Sequence, residues 1–124
     1  MKSISTVHAP AAVGPYSQGI QAGNLLFVSG QLPFQPETMT LAGPDIETQT
    51  AQSLSNVKAI VEAAGFAVTD IVKTTVFLKN MGQFAPMNQV YARFFGEHRP
   101  ARSTIEVARL PKDVDVEIEA VCAK

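Results

Sequence analysis

The chain has little of what most enzymes use. It has no tryptophan and a single cysteine, Cys122. One thiol forms no internal disulfide, which fits a reducing compartment. Its apolar C-terminal surroundings predict a core residue rather than a nucleophile. The two histidines, His8 and His98, stand far apart with no metal-ligand spacing around them, so no metal site is expected. No glycine-rich phosphate cradle and no Ser-His-Asp arrangement is present. No apolar run approaches the length of a membrane span, and Lys2 is not followed by the apolar stretch of a leader. Neither sign of charge dominates: ten Lys and Arg against eleven Asp and Glu leave a net −1. With no basic run there is no electrostatic footprint for nucleic acid. Charged residues make up only 17%, a low share that suits a surface partly covered by partner subunits. The expected location is the cytoplasm.

What is present is enough for one domain, residues 1–124, with a real core: 46% of the residues are hydrophobic. Residues 3–8 read as a first strand, and 9–16, with Pro10, Gly14 and Pro15, as a loop that places Tyr16 after Gly-Pro. Residues 17–21 and 25–30 read as a hairpin around Ala22-Gly23-Asn24. Gly30 ends its second strand, where a missing side chain lets another group approach the backbone. Residues 31–44 read as a long loop, punctuated by Pro33, Pro36, Gly43 and Pro44. Asp45 then caps a helix over 46–64, stopped by Gly65. Residues 71–79 alternate as a strand with Val72, Thr74, Val76 and Leu78 on its apolar face. A second helix over 84–96 carries Met87, Val90, Tyr91, Phe94 and Phe95 on one stripe, with Asn88 off its centre. Two further strands follow. The order β-β-β-α-β-α-β-β predicts an α+β fold, a mixed sheet with two helices packed on one face. The other face needs a cover, and self-association supplies one.

The chemistry concentrates in residues 99–120, which read as a strand, a tight turn and a second strand. Arg102 heads the first strand; Asp115, Glu117 and Glu119 alternate along the second with Val114, Val116, Ile118 and Ala120. Arginine offers a planar, permanently charged fork for a carboxylate or phosphate. A carboxylate on a neighbouring strand can position a water or move a proton. A row of like charges is unfavourable unless solvated or partnered. The segment is therefore either a solvated surface hairpin or one in which a selected acid points into a cleft under a neighbouring chain.

Several separated motifs carry a resemblance. They are Gly14-Pro15-Tyr16-Ser17-Gln18-Gly19, Val28-Ser29-Gly30-Gln31-Leu32-Pro33, Gln52-Ser53-Leu54-Ser55-Asn56-Val57, Val72 to Leu78, Pro100-Ala101-Arg102-Ser103, and Val107 to Pro111 with Val116 to Ala120. In this order, over almost the whole chain, they resemble the Rid (YjgF) family of reactive-intermediate imine and enamine deaminases. The resemblance implies a homotrimer of chorismate-mutase-like fold with a cleft at each subunit interface and no cofactor. It implies hydrolysis of enamines and imines such as 2-aminoacrylate to 2-oxo acids and ammonia. By the same resemblance Arg102 grips the substrate carboxylate and Glu117 serves the hydrolytic water, the two as an adjacent-strand pair. Tyr16, Ser29, Gly30 and Asn88 match further cleft positions. Thr104 stands where many deaminases have cysteine; its hydroxyl can still bond a water or the imine nitrogen. The segment His98-Arg99-Pro100 is also short, which reshapes the cleft rim.

Two other functions compete. A regulatory trimer that binds a small carboxylate without chemistry would keep Arg102 but not need Glu117. RNA cleavage, attributed to some family members, is disfavoured by the near-zero net charge.

Overall fold

Asp45 begins the first helix as its sequence predicts. Its carboxylate accepts the Thr48 N–H at 3.0 Å and the Thr48 hydroxyl at 2.8 Å, and these bonds hold its pKa below the usual carboxylate value. The helix, α1, runs Ile46–Ala63 and is followed by Gly65 at φ +82°, a left-handed position that suits glycine. Leu54, Val57, Ile60 and Val61 on its inner face are fully buried. The second helix, α2, runs Phe84–Phe95 and buries Met87, Val90, Tyr91 and Phe95.

The computed structural model describes residues 1–124. Its strands are β1 Lys2–Ile4, β2 Gly19–Ala22, β3 Leu25–Gln31, β4 Phe34–Gln35, β5 Thr40–Leu41, β6 Ile71–Leu78, β7 Ala101–Glu106 and β8 Val116–Ala123. Six of them form one mixed sheet in the order β1-β2-β3-β8-β6-β7. Only β6 and β7 pair in parallel, joined by the α2 crossover. Both helices lie on one face, over a core that includes Leu26, Val28, Val76, Leu78, Val116, Ile118 and Cys122. The predicted α+β architecture and the hairpin of β2 with β3 are therefore present. The opposite face carries Phe27 and Ile105, 45% and 43% exposed, and nothing within the chain covers it. No helix is long and apolar enough to cross a membrane.

Five expectations need correction. The first strand ends at Ile4 rather than residue 8, because the buried Gln18 side chain replaces a strand neighbour. Its amide accepts the Thr6 N–H at 2.7 Å and donates to the carbonyls of Thr6 and Pro10. The 31–44 loop contains the short ladder of β4 with β5 and is tied to α1, where Asn56 donates to the Leu32 and Phe34 carbonyls. An irregularity in the β6–β8 register between Ile71 and Lys73 buries Ile71 and turns Val72 out to 46% exposure.

The fourth correction bears on the site. β7 and β8 are not a hairpin. β6 lies between them, parallel to β7 and antiparallel to β8, because the α2 crossover returns the chain to the edge of the sheet. Arg102 and Glu117 are therefore not on adjacent strands. Finally, Asp115 does not share the Glu117 face. It precedes β8, accepts from Gln49 Nε2 of α1 at 3.2 Å, and its own N–H bonds Gln49 Oε1 at 2.9 Å.

Candidate functional site

Arg102 sits on the edge strand β7 in register with Thr74 of β6. Thr74 is buried under α2 and hydrogen-bonds the Tyr91 hydroxyl at 2.7 Å, so Arg102 also projects to the helix side. Its Nη1 donates to Asn88 Oδ1 at 2.7 Å. Its guanidinium carbon lies 4.7 Å from the centre of the Tyr91 ring and 5.5 Å from that of Phe84, within cation–π range. Burial pushes the Tyr91 hydroxyl above its ordinary pKa, against the Thr74 hydrogen bond and the Arg102 charge, so it stays neutral. Arg102 has no carboxylate partner, since the one salt bridge in the chain joins Lys79 to Asp113. It opens into a pocket of about 380 Å³ lined by Asn88, Tyr91, Ala92, Arg99, Pro100 and Arg102. A fixed, unpaired guanidinium in a pocket is a receptor for an anion.

Thr104 lies two residues along the same strand, in register with the buried Val76. Its hydroxyl oxygen is buried and has no hydrogen-bond partner.

Glu117 stands on the other side. It is in register with Phe77 and alternates with the buried Val116 and Ile118, so it projects from the open face of the sheet. The pairing of β3 with β8 shifts between Val28 and Gln31, which brings the Gly30 backbone against the Glu117 carboxylate. A Cβ on Gly30 would meet Glu117 Cδ at 2.9 Å; no other residue fits without displacing that group. Burial raises the Glu117 pKa above the ordinary carboxylate value, and the Glu119 charge raises it further. Ser29 beside it donates its hydroxyl to the Ser17 carbonyl at 2.6 Å and its N–H to the Gln18 carbonyl. Tyr16 follows in the same loop, after Gly14 at φ +121°. Its ring is half-exposed and borders a cavity of about 470 Å³ with Ser5, Thr6, Ala11 and Pro36.

The seven residues singled out from the sequence thus fall into two sets. Arg102, Asn88 and Thr104 share the helix side of the β7 edge. Glu117 and Gly30 share the open face, joined through Ser29 and Ser17 to Tyr16. Two members were missed. Tyr91 read as plain core, although its position one helical turn after Asn88 places both over one side chain. Arg99 was read only as part of a shortened rim.

The pattern of the Endoribonuclease L-PSP family matches residues 6–124. The chain belongs to this family. Among members of known name, the 2-iminobutanoate/2-iminopropanoate deaminase of Escherichia coli K12 is 56% identical over 126 residues, covering 99% of this chain and 98% of its own. The crystal structure of the E. coli YjgF gene product superposes with a TM-score of 0.97 at 55% identity, covering 100% and 99% of the two chains. This bears out the resemblance to the Rid (YjgF) family. Another family member, E. coli TdcF, solved with bound serine, superposes equally well (TM-score 0.97) at 50% identity over 100% and 99% of the chains.

Proposed function

We propose that this chain hydrolyses 2-imino acids and their enamine tautomers to 2-oxo acids and ammonia. The observation that carries the reading is Arg102, held by Asn88 and the Tyr91 ring and left without a counter-ion in an open pocket. Near-identity in length and 56% identity to a deaminase of that name support it, as does a relative that binds an amino acid.

Arg102 holds the substrate carboxylate bidentately and so orients C2, while Asn88 and Tyr91 keep the fork from turning. Water adds to the electrophilic C2. Glu117, whose raised pKa brings it closer to neutrality, takes a proton from that water and returns one to nitrogen. The C–N bond of the resulting carbinolamine breaks, releasing ammonia and the 2-oxo acid. The unpartnered Thr104 hydroxyl bonds the water or the imine nitrogen, and the Gly30 carbonyl, with Ser29 and Tyr16, borders the amino side. Imines hydrolyse unaided, so the acceleration required is only a few kcal/mol, within reach of a site with no metal and no nucleophile.

Arg102 and Glu117 project from opposite faces of one sheet, so a single chain does not join them. The complete site takes Arg102, Asn88 and Thr104 from one copy and Glu117, Gly30, Ser29 and Tyr16 from the next. A homotrimer with a cleft at each interface meets that need, and its assembly covers Phe27 and Ile105 on the open face. The single cysteine, Cys122, is buried and unpaired, which fits a reducing, cytoplasmic setting.

The family's name favours a second reading, cleavage of RNA. A net charge of −1 and the lack of a basic run in the sequence argue against it. Both are tested by one comparison: the protein is added to an imino acid generated in place by an amino-acid oxidase, and to single-stranded RNA. Ammonia release well above the buffer rate with intact RNA is expected. RNA cleavage with no gain in imine hydrolysis would overturn the reading.

A further inference from the structure

Arg102 is not the only guanidinium in its pocket. Arg99 lines the same 380 Å³ space, and it too has no carboxylate partner. Its Nη1 donates to the carbonyls of Gly96 and His98, next to the C-terminus of α2. Those bonds fix the group and leave Nε and Nη2 free. Pro100 restricts the backbone on both sides of the bond that joins it to Arg99, so the short His98-Arg99-Pro100 connection sets Arg99 three residues from Arg102 with little freedom. Two uncompensated positive charges at one pocket repel each other, and one carboxylate neutralises only one of them.

We propose that Arg99 binds a second anionic group of the substrate, so that 2-imino acids with a side-chain carboxylate are the preferred class. This rests on the deaminase reading. Arg102 takes the carboxylate next to C2, and Arg99 takes the distal one across the pocket. Arg99 then acts on specificity and stays away from the reacting carbon. The competing role for Arg99 is structural, a clasp on the Gly96 and His98 carbonyls just past α2, and it predicts no effect on substrate choice.

The test measures kcat/KM, above the spontaneous rate, for a four-carbon dicarboxylic imino acid and a monocarboxylic one of equal length. Wild type, Arg99→Met and Arg99→Lys are compared. Wild type favours the dicarboxylic imine, and Arg99→Met lowers the ratio of the two rates about tenfold or more, as expected for a lost charge-assisted contact. Arg99→Lys keeps part of the ratio. The corresponding dicarboxylic 2-oxo acid, which needs no turnover, is titrated against the same three proteins, and its Kd rises in Arg99→Met by a similar factor. An unchanged ratio with an unchanged Kd overturns the proposal, whatever happens to thermal stability. If wild type hydrolyses neither imine, the deaminase reading fails, and the titration still decides whether Arg99 binds the second anion.

Discussion

Arg102 and Glu117 sit under opposite conditions. Arg102 is restrained before any ligand arrives, by Asn88 at 2.7 Å and by an aromatic ring at 4.7 Å that is itself fastened through Thr74. Glu117 has no hydrogen-bonding side chain to hold it. It rests against a bare glycine backbone and is pushed toward its protonated form by burial and by Glu119. One group is built to hold a charge still, the other to change its charge. In the proposed reaction, that difference gives orientation of the substrate to the helix side and proton movement to the open face.

The contrast can be broken in order of expected effect. Arg102→Ala should reduce kcat/KM for imine hydrolysis about a thousandfold, since two charge-assisted hydrogen bonds are lost, with most of the change in KM. If KM and rate stay within a few-fold of wild type, orientation does not reside there. Glu117→Gln should lower kcat about a hundredfold, the usual worth of a positioned proton carrier, with KM little changed.

The same variant separates the two regions by pH. In the folded protein Glu117 keeps its proton to higher pH than in the unfolded chain. Its contribution to stability therefore falls as pH rises from the ordinary carboxylate range through its raised value. The Tm of Glu117→Gln should exceed that of wild type at neutral pH. The gap should close as pH drops below the ordinary carboxylate range. A gap that does not depend on pH would show that Glu117 is not under strain as a carboxylate. The acid limb of the wild-type rate should likewise lie above the ordinary carboxylate value.

The smallest effect on catalysis is expected for Tyr91→Phe. The ring under Arg102 remains, but the buried Thr74 hydroxyl loses its partner. Stability should fall by about 1–2 kcal/mol, the cost of an unmet buried hydroxyl, while kcat/KM stays within about twofold because the cation–π contact remains. A large loss of activity with unchanged Tm would mean that the hydroxyl itself takes part in the chemistry.

Much of this was legible in the sequence where local rules decide. Asp45 and Gly65 bound α1 as a cap and a stop, Met87 to Phe95 give the α2 stripe, and Gly23-Asn24 gives the β2–β3 hairpin. The alternation in Val116 to Ala120 separates the face of Glu117 from the core. Sequence proximity misled where topology decides. β7 and β8 follow each other closely, yet β6 intervenes, because a parallel crossover through α2 reverses the expected neighbour. Asp115 continues the alternation of β8 on paper, but a reciprocal pair with Gln49 on α1 takes it off the acidic face. The Ile71–Lys73 irregularity and the role of Gln18 both depend on contacts distant in sequence, and no local pattern announces them.

The central claim is that the working site is shared between two copies, with Arg102 from one and Glu117 from the other. Arg102→Ala and Glu117→Gln proteins, each nearly inactive, are mixed, dissociated and reassembled together. In the proposed trimer each randomly mixed assembly holds one intact site, so the mixture should regain about a quarter of wild-type activity. A mixture no more active than its two components would contradict the account, because it would place both residues in a site within a single chain.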